Sequence, residues 1–366
     1  MRKYFEFTIS KAVLGVAVAL LLSALAGCRS DGVRFSNPHL DDQHGGFFAY
    51  LRMRLFGDDA WASVDPADPG VDYAQSQVPG DPAQLTATWV GHSTVLISYR
   101  GVHVLTDPIW AQRASPLSFA GPKRFTQPGL AFDELPPIDF VVISHNHYDH
   151  LDAQTVRRLG DGPRYLVPTG VERWFLEQGI AAEQVASFGW WDAQEFPVHG
   201  AENSSTKART LRAQALPSQH FSGRGLWDRN ETLWASWGLT IDGARIFFAG
   251  DTGYNDVQFR QIGERAGPFD LGVIPVGAYR PRSFMGAIHV DPAGAVAIHQ
   301  DVRASYSLGV HWGAFLLTAE HPREVQAEFV AARDAAELTD DAFELWRIGE
   351  TRVVPVRKLT PPRAAP

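Results

Sequence analysis

Apolar and polar positions alternate differently in three parts of this chain. Ala12 to Leu22 is an unbroken apolar stretch. Residues 30 to 82 are rich in Asp, Gly and Pro and read as irregular structure. Within them, Phe47 to Phe56 could form a short helix with Phe47, Phe48, Leu51 and Leu55 on one face, packed on the main domain or against a membrane. From Leu85 onward the pattern becomes that of short strands and helices. Leu85 to Val90, Thr94 to Tyr99 and Val102 to Thr106 are strand-like runs broken at Gly-containing turns. Phe140-Val141-Val142-Ile143-Ser144 is a continuous apolar run, as expected of a strand covered on both faces. Asp152 to Leu159, Val171 to Gln178 and Pro292 to His299 read as helices. Thr210 to Leu216, Leu233 to Ile241, Ala244 to Ala249, Leu271 to Pro275 and Tyr306 to Val310 read as strands. Mixed strands with helices outside them predict a layered α/β architecture.

Composition adds limits. With 366 residues, 45% hydrophobic and 20% charged, the chain is ordinary globular material, long enough for a large core. The formal net charge is −8 and no basic run stands out, so nucleic acid is not an expected partner. The first residues look like a targeting segment. Arg2, Lys3 and Lys11 surround an apolar stretch too short to span a bilayer, and small residues lead to Leu25-Ala26-Gly27-Cys28. This resembles a bacterial lipoprotein signal, with residues 1–27 removed and Cys28 lipidated. An ordinary secretory signal or an uncleaved anchor is the alternative. Cys28 is the one cysteine of the chain and can form no internal disulfide. Arg29 follows it, where Asp would signal retention at the inner membrane. The expectation is therefore a lipid-anchored protein on the periplasmic face of the outer membrane. Residues 28–82 would be tether and N-terminal extension, and 83–366 the main domain.

The candidate chemistry lies at the ends of predicted strands. His145-Asn146-His147-Tyr148-Asp149-His150 follows the run Phe140 to Ser144. His220 comes just beyond Thr210 to Leu216, Asp251 follows Ala244 to Ala249, and His311 follows Tyr306 to Val310. Imidazole nitrogen and carboxylate oxygen suit zinc or another first-row divalent ion. A short loop can turn its donors in several directions, so the run 145–150 can serve two adjacent ions, and Asp251 has two oxygens with which to bridge them. A lone His after a strand is usually structural; this spacing is not a lone His. His39, His44, His103, His199, His299 and His321 lack such a setting and read as structural or exposed.

The His-x-His-x-Asp-His run with its downstream His, Asp and His resembles the metallo-β-lactamase fold family. Further motifs are similar to those of the branch containing N-acylphosphatidylethanolamine-hydrolysing phospholipase D. They include Thr88 to Thr94 (TWVGHST), Leu105 to Ile109 (LTDPI), Arg113 to Pro116 (RASP) and Gly121 to Phe125 (GPKRF). Phe248 to Tyr254 (FAGDTGY), Gly267 to Leu271 (GPFDL), Ile274 to Tyr279 (IPVGAY), His289 to Pro292 (HVDP) and His311 to Gly313 (HWG) complete the series. The resemblance implies an αββα sandwich with metals at one edge of the two sheets. It implies that His145, His147 and His220 hold one zinc and that Asp149, His150 and His311 hold the other, with Asp251 shared. It also implies that His289 and Tyr148 contact substrate. Gly250 and Gly253 would let the backbone pass close to the ions. Asp107 would orient a ligand histidine or cap the turn before Pro108. His92 would support the site or be structural.

These implications add up to a two-zinc hydrolase. A metal-held hydroxide near Asp149 would attack a phosphodiester directly, while His289 contacts a phosphoryl oxygen or protonates the leaving group. The leading expectation is cleavage of N-acylphosphatidylethanolamine to phosphatidic acid and N-acylethanolamine, with Cys28 keeping the enzyme at the membrane. A lactonase or other hydrolase of a soluble substrate is the alternative, and a non-catalytic binding scaffold the third.

Overall fold

A computed structural model describes residues 34–40, 52, 63–65, 67–74, 81–198, 209–225 and 227–357. The lipoprotein-like signal, Cys28, His44, His199 and all but one residue of the expected helix at Phe47 to Phe56 lie outside them. The three opening strand-like runs form β1 (Leu85–Gly91), β2 (Thr94–Tyr99) and β3 (Val102–Thr106). Arg100 and Gly101, between β2 and β3, both take left-handed φ values, 51° and 75°, which a tight hairpin turn of matching twist requires. β4 (Phe140–Val142), β5 (Arg164–Pro168) and β6 (Val185–Phe188) extend the sheet on one side, and β14 (Thr351–Val354) closes the other. The order is β14-β1-β2-β3-β4-β5-β6. A second sheet contains β7 (Ala193–Pro197), β8 (Thr210–Leu216), β9 (Ser236–Ile241), β10 (Ala244–Phe248), β11 (Phe269–Pro275), β12 (Ala304–Val310) and β13 (Phe343–Glu344). Its order is β13-β12-β11-β10-β9-β8-β7.

The sheets face each other across one apolar core. Ala87, Trp89, Val95 and Val142 of the first sheet pack with Ala213, Trp237, Leu239, Ile246 and Phe248 of the second. Each such large side chain, once buried, contributes about 1.5–3 kcal/mol. Trp237 also carries a polar link across the core, its indole Nε1 donating to Ile143 O at 2.9 Å. Outside the first sheet lie α1 (Ala153–Leu159) and α2 (Glu172–Glu177), whose Val156 and Phe175 cover Val141, Tyr165 and Val167. Asp152 caps α1 by accepting from Gln154 N and Thr155 N, a device worth about 1 kcal/mol. Outside the second sheet lie α3 (Gln258–Arg265), α5 (Pro292–Asp301) and α6 (Pro322–Ala335), with the single-turn α4 (Arg282–Met285) before α5. The architecture is the expected αββα sandwich.

Strand direction decides where the site must be. β1 is antiparallel to β2 and β2 to β3, while β3 and β4 are parallel, so β1, β3 and β4 all run the same way. In the second sheet β8, β10 and β12 share a direction by the same counting. The residues that follow these six strands are therefore delivered to strand ends of like polarity, three on each sheet.

Parts of the N-terminal extension pack on this sandwich. Val71 is 5% exposed within the main core, Ala74 N donates to Ile348 O, and Arg323 holds Asp68. Among the described residues no helix is long and apolar enough to cross a membrane.

Candidate metal centre

Six strand ends supply the centre: His92 after β1, Asp107 after β3, the run His145 to His150 after β4, His220 after β8, Asp251 after β10 and His311 after β12. Three of these residues leave their strands in left-handed conformations, with φ of 54° at His92, 32° at Asp107 and 63° at His311. Side chains with a Cβ rarely adopt such angles, and where they do the surrounding fold must enforce them. Gly250 and Gly253 are needed as well. A Cβ on Gly250 would lie 2.4 Å from Ser144 Cβ, and one on Gly253 would lie 2.2 Å from Ala287 O. Close loop-to-loop packing excludes a side chain at both positions.

The donors converge in two groups. His145 Nε2 and His147 Nδ1 are 2.7 Å apart, and His220 Nε2 is 3.3 Å from the same His147 nitrogen. His150 Nε2 and His311 Nε2 are 3.1 Å apart, with Asp149 Oδ2 at 3.2 and 3.4 Å from them. Asp251 Oδ2 stands between the groups, 3.1 Å from both His150 and His311, 3.8 Å from His220 and 4.0 Å from His145. The structure thus brings together all seven residues read from the sequence as ligands. His92 joins the second group, its Nε2 2.9 Å from Asp149 Oδ2.

Orientation comes from behind. Asp107 Oδ2 lies 2.6 Å from His150 Nδ1 and also accepts from the Ser144 hydroxyl, while Asp107 Oδ1 accepts from Ser144 N. The carboxylate fixes a proton on His150 Nδ1 and turns Nε2 inward, the nitrogen that would give its lone pair to an ion once one displaces its proton. Of the two readings of Asp107, the orienting one is what the geometry shows. Ser144 Oγ is 2.9 Å from His145 Nδ1, and Ile288 O is 2.9 Å from His220 Nδ1, so two further imidazoles present Nε2 to the centre.

The charge balance calls for a cation. His145 and His220 are held well below the ordinary histidine range and His147 is pushed down to about 4, first by burial and then by neighbouring imidazoles, with Asp149 opposing at His147. Burial would lower His150 and His311 too, but the carboxylates of Asp251 and Asp149 outweigh it. His150 rises well above its usual range and His311 to about 9. Burial would likewise raise Asp149 and Asp251, yet the facing histidines hold both well below the usual carboxylate range. Asp251 Oδ1 and the Nδ1 atoms of His289 and His311 are buried without a hydrogen-bond partner. Neutral imidazoles with nitrogens turned inward, an unpaired buried oxygen of Asp251 and two carboxylates among them are what a divalent ion satisfies, and the donor set fits zinc or a similar ion.

The two expected substrate contacts are placed differently. His289 is 8% exposed, stacks on His311 with ring centroids 5.5 Å apart, and brings Nδ1 to 3.8 Å from Asp251 Oδ2. Burial pushes it down to about 3, so it is neutral near pH 7. Tyr148 is half-buried and its hydroxyl donates to Arg224 O at 2.8 Å, with the Arg224 guanidinium over its ring. The remaining histidines stay apart from the centre: His103 meets Ser98 Oγ, His299 meets Ser307 Oγ, His321 caps α6 and His39 is exposed. Sequence reasoning missed Arg224, whose Nη1 donates to Asn146 O and Leu151 O and so clasps both ends of the ligand run. Nothing in its local sequence marks it, because its partners are backbone carbonyls more than seventy positions away.

Two mixed sheets under helices, with His and Asp donors gathered at strand ends, define a metal-dependent hydrolase of the metallo-β-lactamase fold. Residues 103–312 match the beta-lactamase superfamily domain. The chain is 43% identical over 280 residues to N-acyl-phosphatidylethanolamine-hydrolyzing phospholipase D 1 of Caenorhabditis elegans, covering 73% of this chain and 76% of that protein. It is 34% identical over 246 residues to the mitochondrial N-acyl-phosphatidylethanolamine-hydrolyzing phospholipase D of Saccharomyces cerevisiae, covering 66% of this chain but only half of the yeast protein. Among solved structures, the isothiocyanate hydrolase from Delia radicum gut bacteria superposes with a TM-score of 0.55 at 18% identity, over 74% of this chain and 99% of that one, which is a likeness of fold. The chain belongs to the beta-lactamase superfamily, in the branch of the N-acylphosphatidylethanolamine-hydrolysing phospholipases D.

Proposed function

We propose that this protein is a dinuclear zinc phosphodiesterase that cleaves N-acylphosphatidylethanolamine to phosphatidic acid and N-acylethanolamine. The observation that carries the two-ion reading is the position of Asp251 Oδ2, within 3.1–4.0 Å of four histidines drawn from both donor groups. His145, His147 and His220 would hold one ion, Asp149, His150 and His311 the other, with Asp251 between them. Such a pair supplies Lewis acidity toward a phosphoryl oxygen and lowers the pKa of water toward neutrality. The phosphodiester choice draws support from the similarity to relatives named for that activity.

The chain's own groups complete the chemistry. Water oxygen adds to phosphorus opposite the ethanolamine oxygen, and its proton passes to an oxygen of Asp149. His92 donates to Asp149 Oδ2 and thereby holds the carboxylate toward the centre. His289, neutral in its buried setting, donates from Nδ1 to a phosphoryl oxygen, where charge grows as the P–O bond to the ethanolamine breaks. The departing N-acylethanolamine oxygen takes a proton from solvent. No protein nucleophile is required. In this reading Cys28 is lipidated and keeps the enzyme on the periplasmic face of the outer membrane, beside its lipid substrate.

Zinc-loaded protein incubated with a defined lipid panel, with products read by mass spectrometry, tests the proposal. Release of phosphatidate and N-acylethanolamine in equal amounts is expected. Intact lipids alongside turnover of a lactone or another soluble ester would overturn the substrate and leave the metal centre standing.

A further inference from the structure

Residues 34–40 lie far in sequence from every ligand, yet they touch one of them. Asn37 is 7% exposed, and its carboxamide makes a two-way pair with the His220 backbone. Nδ2 donates to His220 O at 2.8 Å, and His220 N donates to Oδ1 at 3.1 Å. On either side of this pair the segment is held again. Phe35 N donates to Asn230 O at 2.9 Å, while the Arg34 guanidinium donates to Trp227 O at 2.9 Å and lies 3.8 Å from Glu231. All these partners belong to residues 220–231. The same stretch grips the ligand run, since Gly223 N donates to Asn146 Oδ1 and Arg224 to Asn146 O and Leu151 O.

His220 needs this help for a physical reason. It lies beyond the end of β8 at Leu216, outside the sheet ladder, and is fully buried. A buried peptide group left without partners is costly, because nothing replaces the water it has given up. His311 N, by contrast, is satisfied within the sandwich by His92 O, and His150 N by His147 O. The His220 side chain is aimed by Ile288 O, but its backbone is held by a residue from outside the sandwich.

We propose that residues 34–40 form a strap that completes the metal centre, with Asn37 as the positioning residue for His220. The strap ties the chain's N-terminal tether to the donor group of His145, His147 and His220. Asn37 lies nine positions beyond Cys28, about 32 Å of fully extended chain. The strap rests on the metal-centre reading; on the lipid-anchor reading it also keeps His220 within that reach of the bilayer.

Chelator competition on the full mature chain, with bound zinc counted per protein, tests the strap. Asn37→Ala should weaken retention of one ion by about 10–100-fold, the scale for removing a group that orients a ligand, and leave the other ion in place. Cobalt-loaded protein should show the same selectivity, with the visible bands of one ion altered. Arg34→Ala, an exposed change that threatens no core contact, should shift retention in the same direction by less. Ser36→Ala, exposed and outside these contacts, should change nothing. Asn37→Ala protein that holds both ions as tightly as wild type, while melting at a lower temperature, would show a merely structural role and overturn the strap. A wild-type chain that binds no metal would overturn the centre itself, a separate and distinguishable result.

Discussion

The two donor groups of the centre are built on different principles. His145, His147 and His220 are three imidazoles with no carboxylate of their own, aimed by neutral partners: the Ser144 hydroxyl, the Ile288 carbonyl and, for the His220 backbone, the Asn37 amide. Asp149, His150 and His311 form a carboxylate-rich group, with Asp107 behind His150 and His92 behind Asp149. The first group depends on alignment, because nothing but geometry keeps three neutral rings converging. The second depends on charge, because its buried carboxylates are costly unless a cation or protonated histidines face them. Asp251 belongs to both groups, and substitutions should sort accordingly.

Asp251→Ala is the most severe test, since it removes the one oxygen that faces histidines of both groups. On the two-ion proposal both ions should become loosely held, and hydrolysis should fall by about 10³-fold or more, the scale on which a charge-stabilising group acts. Metal analysis and turnover measured on one sample check this; full retention of both ions would break the shared-ligand reading. Asp107→Asn should act on the second group alone. The amide would offer N–H to His150 Nδ1, forcing the proton onto Nε2, the atom that faces the centre. Retention of one ion should weaken by about 10–100-fold while the group around His147 keeps its ion. His92→Phe preserves a ring against Phe315 and His311 but drops the bond to Asp149. A loss of about 10-fold is expected, at the low end of the same range. Combined with Asn37→Ala, the two losses should add, because the residues serve different groups with no shared partner. Strong non-additivity in the double variant would merge the two groups into one.

Legibility in the sequence followed the same division. The ligand run could be read because its donors are contiguous and follow a strand recognisable as a short apolar block. The strands β1 to β4 and β8 to β12 fall within a few residues of the runs that predict them, since each is buried on at least one face. The apolar run of β5, Tyr165-Leu166-Val167, went unread despite its burial, and the rest of what escaped has weak local signal. β7 carries mostly exposed residues at a sheet edge, and β13 is two residues long. The N-terminus of α6 is capped by His321, a residue type not expected at that position, although Glu324 completes the reciprocal bond. α3 is capped from Asn255, three positions before it begins, whose Oδ1 accepts from Gln258 N, and its close approach to the end of α5 depends on Gly263, where a Cβ would strike Asp301 O at 1.9 Å. Asn37 and Arg224 were invisible for a different reason. Both act on backbone atoms of residues distant in the chain, and a residue type that can serve any peptide group announces none in particular.

His299 offers the mildest test and a control for both groups, being a buried histidine that faces a hydroxyl and no carboxylate. It is 5% exposed on α5, its Nδ1 2.8 Å from Ser307 Oγ and its ring stacked on Phe343. Burial pushes it down from the ordinary 6.5 to about 4. The unfolded chain therefore binds a proton at this residue between about pH 6.5 and pH 4, where the folded chain does not. Stability from this group is fully present above that window and is lost as pH falls through it, by on the order of 3 kcal/mol at most. His299→Gln keeps an acceptor for Ser307 and removes the titration, so its denaturation midpoint should fall less steeply between pH 7 and pH 4.5 than that of wild type. The histidines of the centre titrate equally in both proteins, so the difference between the two curves isolates His299. Its hydrolysis per folded chain at neutral pH should be unchanged, because its side-chain partners, Ser307 and Phe343, are not members of either donor group. Parallel curves would mean that burial alone does not depress a histidine in this core, and the contrast with the carboxylate-held His150 and His311 would lose its baseline.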